Sequence, residues 1–229
     1  MRPKIVFGCS GGGSGFNNCI QATKDGRLDA DIVGMLHNVL NCGAVEHAQV
    51  HGIPHRFFPK SARTPGAHEA AILEFAGDGE CFFMASGCLW PVEMKDGPDD
   101  AGPGLDPRYA ANIHPGMLSL LASGGKPMFG GQDMHGDEVH KAAWRANLGY
   151  SGLAMHFLTK KYDEGPIVFE YQVPVIYDDW QHLKRGVNVM EHYFQPYVTN
   201  LIVHKKIRWD GKDPKNLIVP DGYRFLPQV

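Results

Sequence analysis

Short apolar runs separated by polar segments of helical length open this chain, and no other feature constrains its fold as strongly. The runs are "KIVFG", "DIVGMLHN", "HRFFP" and "ECFFMAS". Between them, "FNNCIQATKDG", "CGAVEHAQVHG" and "PGAHEAAILEFAGDG" read as helices. Strands this short and apolar are buried on both faces, and the intervening helices make right-handed crossovers in a parallel sheet. After the loop "KDGPDDAGPGLDP" a fifth strand, "YAANIHP", follows. "LAMHFLT" and "PIVFEYQVPV", joined through "KKYDEG", read as an antiparallel pair. "DEVHKAAWRANLG" reads as a helix with Asp137 as its N-cap, and 178–206 as a long amphipathic helix kinked at Pro196. A small hairpin of "KIRWDG" and "YRFLP" is expected to close the chain. The fold class is therefore α/β: a Rossmann-like, open, mostly parallel twisted sheet, with helices on both faces and antiparallel strands added in the C-terminal half.

Partners are narrowed by charge. With 229 residues and a net charge of −3, the chain offers no electrostatic case for nucleic acid or an anionic membrane. No stretch reaches the ~18 apolar residues of a spanning helix, and the N-terminal apolar run is too short for a signal peptide. The five cysteines are odd in number and form no C-x-x-C pair, which predicts free thiols and a cytoplasmic protein.

Four of the five positions 11–15 are glycine, directly before a helix. Such a loop offers backbone N–H groups and the positive end of a helix dipole to a phosphate. Gly11, Gly12, Gly13 and Ser14 are the candidates. No G-K-[ST] follows, and the G-x-G-x-G order lacks the spacing and the later acid of a dinucleotide fingerprint. A plain tight turn is the competing reading.

Asn112 and His114 alternate along the fifth strand, so both project to one side, at the carboxyl ends where α/β sheets bind ligands. Asp163, in the later turn, can reach the same side. An amide donor, an imidazole and a carboxylate suit acyl transfer: one stabilises an oxyanion, one moves a proton, one orients the imidazole. No Ser or Cys adjoins the imidazole, which favours direct transfer over a covalent acyl-enzyme. Taken alone, a strand-end Asn-x-His is more often a hydrogen-bonded core feature.

"NIHP", followed by an aspartate inside "HFLTKKYDEGPIVFEYQVPV", resembles the folate-dependent formyltransferases, and among them the branch acting on glycinamide ribonucleotide. "KIVFGCSGGGSG" and "HNVLNCGAVEHAQVHGI" resemble that family's opening loop and second strand-helix unit. The resemblance implies a formyltransferase fold in which Asn112, His114 and Asp163 are catalytic. It places the substrate phosphate on Gly11 to Ser14 and the ribose on Glu191. It puts the folate against Cys88, Leu89, Trp90, His156 and Thr159. The co-substrate would be 10-formyltetrahydrofolate, with no metal, and the amine of glycinamide ribonucleotide would attack the formyl carbon directly. One domain over 1–229 is implied, with a phosphate-binding half (1–100), a catalytic and folate-binding half (101–204) and a tail (205–229). Two departures bear on the acceptor: Gly15 and Phe16 follow Ser14 where the family carries an asparagine, and 119–134 holds a glycine-rich insertion.

Other features have plainer readings. Twelve histidines show no zinc spacing; His135 and His140 are five apart. Trp90 and Phe129 suit either folate stacking or packing. Lys205, Lys206 and Arg208 form a basic cluster that is solvated or meets a polyglutamate tail. The glycine-rich loop 123–136 is expected to be mobile without ligand. Alternative functions are transfer to an amino-sugar nucleotide, formyl-folate hydrolysis, or a phosphoester-binding α/β protein. The sequence leaves a homodimer open.

Overall fold

A computed structural model describes residues 1–77, 79–132, 134–176 and 179–227, so that Asp133 in the glycine-rich loop and Asp178 before the long helix lie outside the described residues. The chain runs β1 (Lys4–Cys9), α1 (Ser14–Asp25), β2 (Asp31–His37), α2 (Gly43–Val50), β3 (His55–Phe57), α3 (Ala67–Ala76) and β4 (Cys81–Ser86). It continues with β5 (Ala110–His114), α4 (Asp137–Ala146), β6 (Tyr150–Phe157), β7 (Ile167–Pro174) and α5 (Trp180–Val203).

The strands form one seven-stranded sheet in the order β3-β2-β1-β4-β5-β6-β7. Pairing is parallel from β3 through β5 and antiparallel from β5 to β7, as the apolar runs predict. Strand alternation divides the core in two. Ile5, Phe7, Cys9, Phe82, Met84, Ala111 and Ile113 face the layer of α1, α2, α4 and α5, while Val6, Phe83, Ala85 and Ala110 face α3. Asn112 and His114 share the parity of Ala110 and so belong to the α3 side. All five cysteines are free, and Cys9, Cys19 and Cys42 are buried. No described helix is long and apolar enough to cross a membrane.

Two local expectations change, at the start of α4 and in the tail. Gly136, not Asp137, caps α4; Asp137 is the first helical residue, and its carboxylate accepts from Lys184 Nζ at 2.7 Å. Pro196 lies inside α5, whose span runs from Trp180 to Val203. A proline leaves the carbonyl four residues earlier without its helical donor, and here that carbonyl, of His192, accepts from Asn18 Nδ2 of α1. The tail does not pair "KIRWDG" with "YRFLP". Arg208 instead bridges Ile218, and the Phe225 carbonyl accepts from Glu170 N of β7 at 2.7 Å. Aromatic packing decides this, since the Phe225 ring stands 5.3 Å from those of both Phe169 and Phe194.

Candidate active site

Sheet register brings the Asn-x-His pair to a second histidine. Asn112 lies opposite His156 and His114 opposite Ala154 across the β5–β6 ladder, and opposed residues share a face. Asn112 Nδ2 is 3.3 Å from His156 Nε2, and His156 Nδ1 donates to its neighbour's carbonyl at Phe157, 2.9 Å away. Asp163 reaches this group from the β6–β7 turn, with φ at 55°. Aspartate is among the few residues that adopt that left-handed backbone readily. Its Oδ1 stands 3.3 Å from His156 Nε2 and its Oδ2 3.7 Å from His114 Nδ1. Oδ2 also accepts the Gly131 amide at 2.8 Å. On the other side of its ring, buried His114 donates from Nε2 to the carbonyl of Phe129.

These neighbours set the charges. Burial alone would raise the Asp163 carboxyl; the His156 hydrogen bond, the charges of His114 and His156 and the Gly131 amide outweigh it and bring it to about 2. The carboxylate is thus anionic at every physiological pH. Burial lowers His114 below the ordinary histidine value, against the opposing pull of Asp163 and the Phe129 carbonyl.

Asn112, His114 and Asp163 stand in the wall of a cavity of about 360 Å³. Cys88, Leu89, Trp90 and Thr159 line the same cavity. His156, expected in that lining, sits behind Asn112 and Asp163 at 1% exposure and touches the carboxylate instead. Trp90 and Phe129 are both buried; the Phe129 ring joins the main core, and its carbonyl is what reaches His114.

The glycine loop runs beside this cavity. Ser10 Oγ accepts from Leu89 N at 2.7 Å, and Ser10 N donates to Gly87 O at 2.9 Å. Gly11, Gly12 and Ser14 are exposed, and no side chain caps α1. Gly13, at φ 72°, is the N-cap, and a Cβ there would fall 2.6 Å from the Ala44 Cα of α2. Ala44 N in turn donates to Gly11 O at 3.2 Å. Two uncapped helix N-termini therefore meet at one exposed loop, which is a setting for an anion.

Glu191 of α5 lies under the same loop. A Cβ on Gly15 would come 2.9 Å from Glu191 Oε1, 2.9 Å from Ser86 Oγ and 2.6 Å from Gln195 Oε1. Burial raises the Glu191 carboxyl to about 7. Gln195 is a residue that sequence reasoning missed. It is fully buried, donates from Nε2 to Ser86 Oγ at 3.3 Å, and holds Oε1 without a partner. An amide one turn after Glu191 on a helix's inner face was the available signal. Arg63, in irregular chain after β3, was also missed. Its Nε is buried without a hydrogen-bond partner, and its charge acts on His68, Cys88 and Tyr162 around the cavity. Nothing in its sequence surroundings marks it.

Lys205 and Arg208 do not belong here. They border the starts of β1, β4 and β5, at the opposite end of the sheet, where Lys205 Nζ binds Glu80 at 2.7 Å. Among the described residues no group of three or more His, Cys, Asp or Glu side chains converges as a metal site.

Comparison with known proteins adds sequence and fold relatives. No family model matches the chain. The chloroplastic phosphoribosylglycinamide formyltransferase of Arabidopsis thaliana is 32% identical over 214 residues, covering 91% of this chain and 68% of that protein. The phosphoribosylglycinamide formyltransferase of Bacillus subtilis is 26% identical over 204 residues, covering 86% of this chain and 93% of its own. Among solved structures, glycinamide ribonucleotide transformylase 1 of Symbiobacterium toebii superposes with a TM-score of 0.76 at 22% identity, over 96% of this chain and 95% of that one. That last likeness is one of fold.

Proposed function

Because this chain belongs to the phosphoribosylglycinamide formyltransferase family, we propose that it transfers the formyl group of 10-formyltetrahydrofolate to the primary amine of glycinamide ribonucleotide, a step of purine synthesis. The observation that carries this reading is the meeting of Asn112, His114 and Asp163 in the wall of one cavity. A volume of about 360 Å³ suits a bicyclic head group. The exposed loop Gly11–Ser14 suits the phosphate of the amine substrate, and Glu191 beneath it suits the ribose hydroxyls.

In this mechanism the amine lone pair forms a C–N bond to the formyl carbon while the carbonyl π pair moves onto oxygen. Asn112 Nδ2–H donates to the resulting oxyanion, and His114, neutral in the resting protein, stabilises it once protonated. Asp163, anionic throughout, favours the charged form of His114 and holds a water that takes up the ammonium proton. That proton passes to N10 of the folate as the carbon–N10 bond breaks, giving the formamide and tetrahydrofolate. His156 Nε2 stands 3.3 Å from both Asn112 Nδ2 and Asp163 Oδ1 and is a partner for one or the other according to its protonation. No metal takes part in this scheme. The free thiols support a reducing compartment, read as the cytoplasm.

The test is to mix purified protein with both substrates and follow loss of the formyl group optically, with Asp163→Asn as control. Turnover that requires both substrates and collapses in the variant supports the transferase. Deformylation without the amine overturns it in favour of a hydrolase. Bound folate without reaction moves the acceptor to amino sugars.

A further inference from the structure

One wall of the cavity is tied to α3 by a buried hydrogen bond between two side chains. Trp90 Nε1 donates to Nε2 of His68, the second residue of α3, at 3.1 Å. Both side chains are buried, at 4% and 2% exposure. The Phe58 ring stands edge-on to the imidazole, 4.8 Å between centroids at 66°, and fixes its plane. Around Trp90 the lining is apolar, with Val6, Leu36, Phe83, Met94 and Leu105 in one cluster. An indole N–H can only donate, and in such surroundings an unpaired donor is expensive enough to turn the ring away. Backbone carbonyls within α3 are engaged by the helix itself, so a side-chain acceptor has to do this work. His68 provides one only with its proton on Nδ1. Burial, and then the charge of Arg63, push its pKa down to about 4, so the acceptor lone pair persists at neutral pH.

The same segment is held on its other flank. Ser10 binds Gly87 O and Leu89 N, so the stretch from Gly87 to Trp90 is tied to the end of β1 on one side and to α3 on the other. Trp90 lines the cavity that holds Asn112, His114 and Asp163.

We propose that His68 is a positioning residue for the formyl-folate site: by accepting the Trp90 indole N–H it holds the 87–90 wall in its binding shape before the folate arrives. The proposal rests on the reading of this cavity as the folate site. His68 touches no reacting atom, so its removal acts on folate affinity and leaves the chemical step and the amine substrate nearly untouched.

The experiment compares His68→Leu, His68→Gln, Trp90→Phe and the double variant His68→Leu/Trp90→Phe with wild type. It measures KM for each substrate, kcat, equilibrium binding of 10-formyltetrahydrofolate, and the ¹H–¹⁵N resonance of the Trp90 indole, assigned by its absence from Trp90→Phe. In His68→Leu we expect that resonance to shift and KM for the folate to rise about threefold to tenfold, the span one lost hydrogen bond gives. KM for the amine and kcat should stay within about twofold. His68→Gln, whose amide oxygen can accept, should recover most of the folate affinity, and the double variant should be no worse than either single one. An unmoved resonance with unchanged folate binding in His68→Leu, while wild type binds folate, overturns the anchor alone. Losses in both KM values and kcat that His68→Gln fails to rescue reduce His68 to a structural role and also overturn it. Wild type that binds no formyl folate overturns the reading of the cavity, and the folate role of His68 with it, even if the indole resonance still answers to His68. Should His68→Leu fail to fold, Trp90→Phe with an unchanged KM for the folate overturns the proposal by itself.

Discussion

His114 is held between two opposed partners: its Nε2 donates to the carbonyl of Phe129, while its Nδ1 faces Asp163 Oδ2 at 3.7 Å. A carbonyl only accepts, so the neutral ring carries its proton on Nε2 and its lone pair toward the carboxylate. Nitrogen NMR of the imidazole should find that tautomer at neutral pH, with a pKa below the ordinary histidine value. Asp163→Asn removes the negative charge that favours the imidazolium and should lower that pKa further. A neutral ring protonated on Nδ1, or a pKa that rises in Asp163→Asn, would contradict the arrangement.

Loss of the Asn112 amide should act on turnover alone. Asn112→Ala removes one oxyanion donor and is expected to cost about 10²–10³ in kcat. Asp163→Asn should do at least as much while keeping the fold, because asparagine accepts the left-handed backbone found at φ 55°. Steady-state kinetics beside thermal melts separates the two effects; a kcat loss matched by a collapse in Tm would assign both residues to structure.

Glu191 should make substrate binding depend on pH. Burial raises its carboxyl to about 7, so the folded protein holds a proton that the unfolded chain has released at a lower pH. Its cost to stability therefore grows as pH rises from the ordinary carboxylate range toward 7. A ribose diol donates best to the ionised form. KM for glycinamide ribonucleotide should fall as pH climbs through about 7 in wild type and stay flat in Glu191→Gln. Parallel profiles in the two proteins would remove Glu191 from ribose recognition.

Gly15 packs its Cα against three side-chain oxygens beneath the glycine loop. Any Cβ there meets Gln195 Oε1 at 2.6 Å and Glu191 Oε1 and Ser86 Oγ at 2.9 Å. Gly15→Ala should lower stability by about 1–3 kcal/mol, the usual range for overpacking a filled site. It should also raise KM for the amine substrate by displacing Glu191, leaving the folate KM in place. An unchanged melt and an unchanged amine KM would show that the loop adjusts freely.

The acid limb of stability belongs to Asp163. With its pKa lowered to about 2, its stabilising contribution is complete above the ordinary aspartate value and disappears as pH falls toward 2. Asp163→Asn should therefore flatten the fall in Tm over that window. A wild-type melt that holds constant down to pH 2 would refute the pairing with His156 and His114.

The placement of strands and helices and the glycine loop were legible in the chain because each rests on local periodicity: apolar runs in β1, β2 and β4, and glycine before α1. The Asn112–His114 pair was legible for the same reason, since strand alternation puts both on one face. What periodicity could not supply is distance across the fold. The register of β5 against β6 alone decides that His156 stands opposite Asn112 and supports Asp163 rather than lining the cavity. The long-range contacts of His68 with Trp90, Asn18 with the carbonyl freed by Pro196, and Gln195 with Ser86 join residues 22, 174 and 109 apart in sequence. A single sequence carries no trace of such pairings, because each satisfies a buried polar group left over by packing. The sequence by itself determined a mostly parallel sheet flanked by helices and the residues able to do acyl-transfer chemistry. Only the tertiary structure decided their tautomer, charge and support, because those depend on burial and on partners that the chain brings together last.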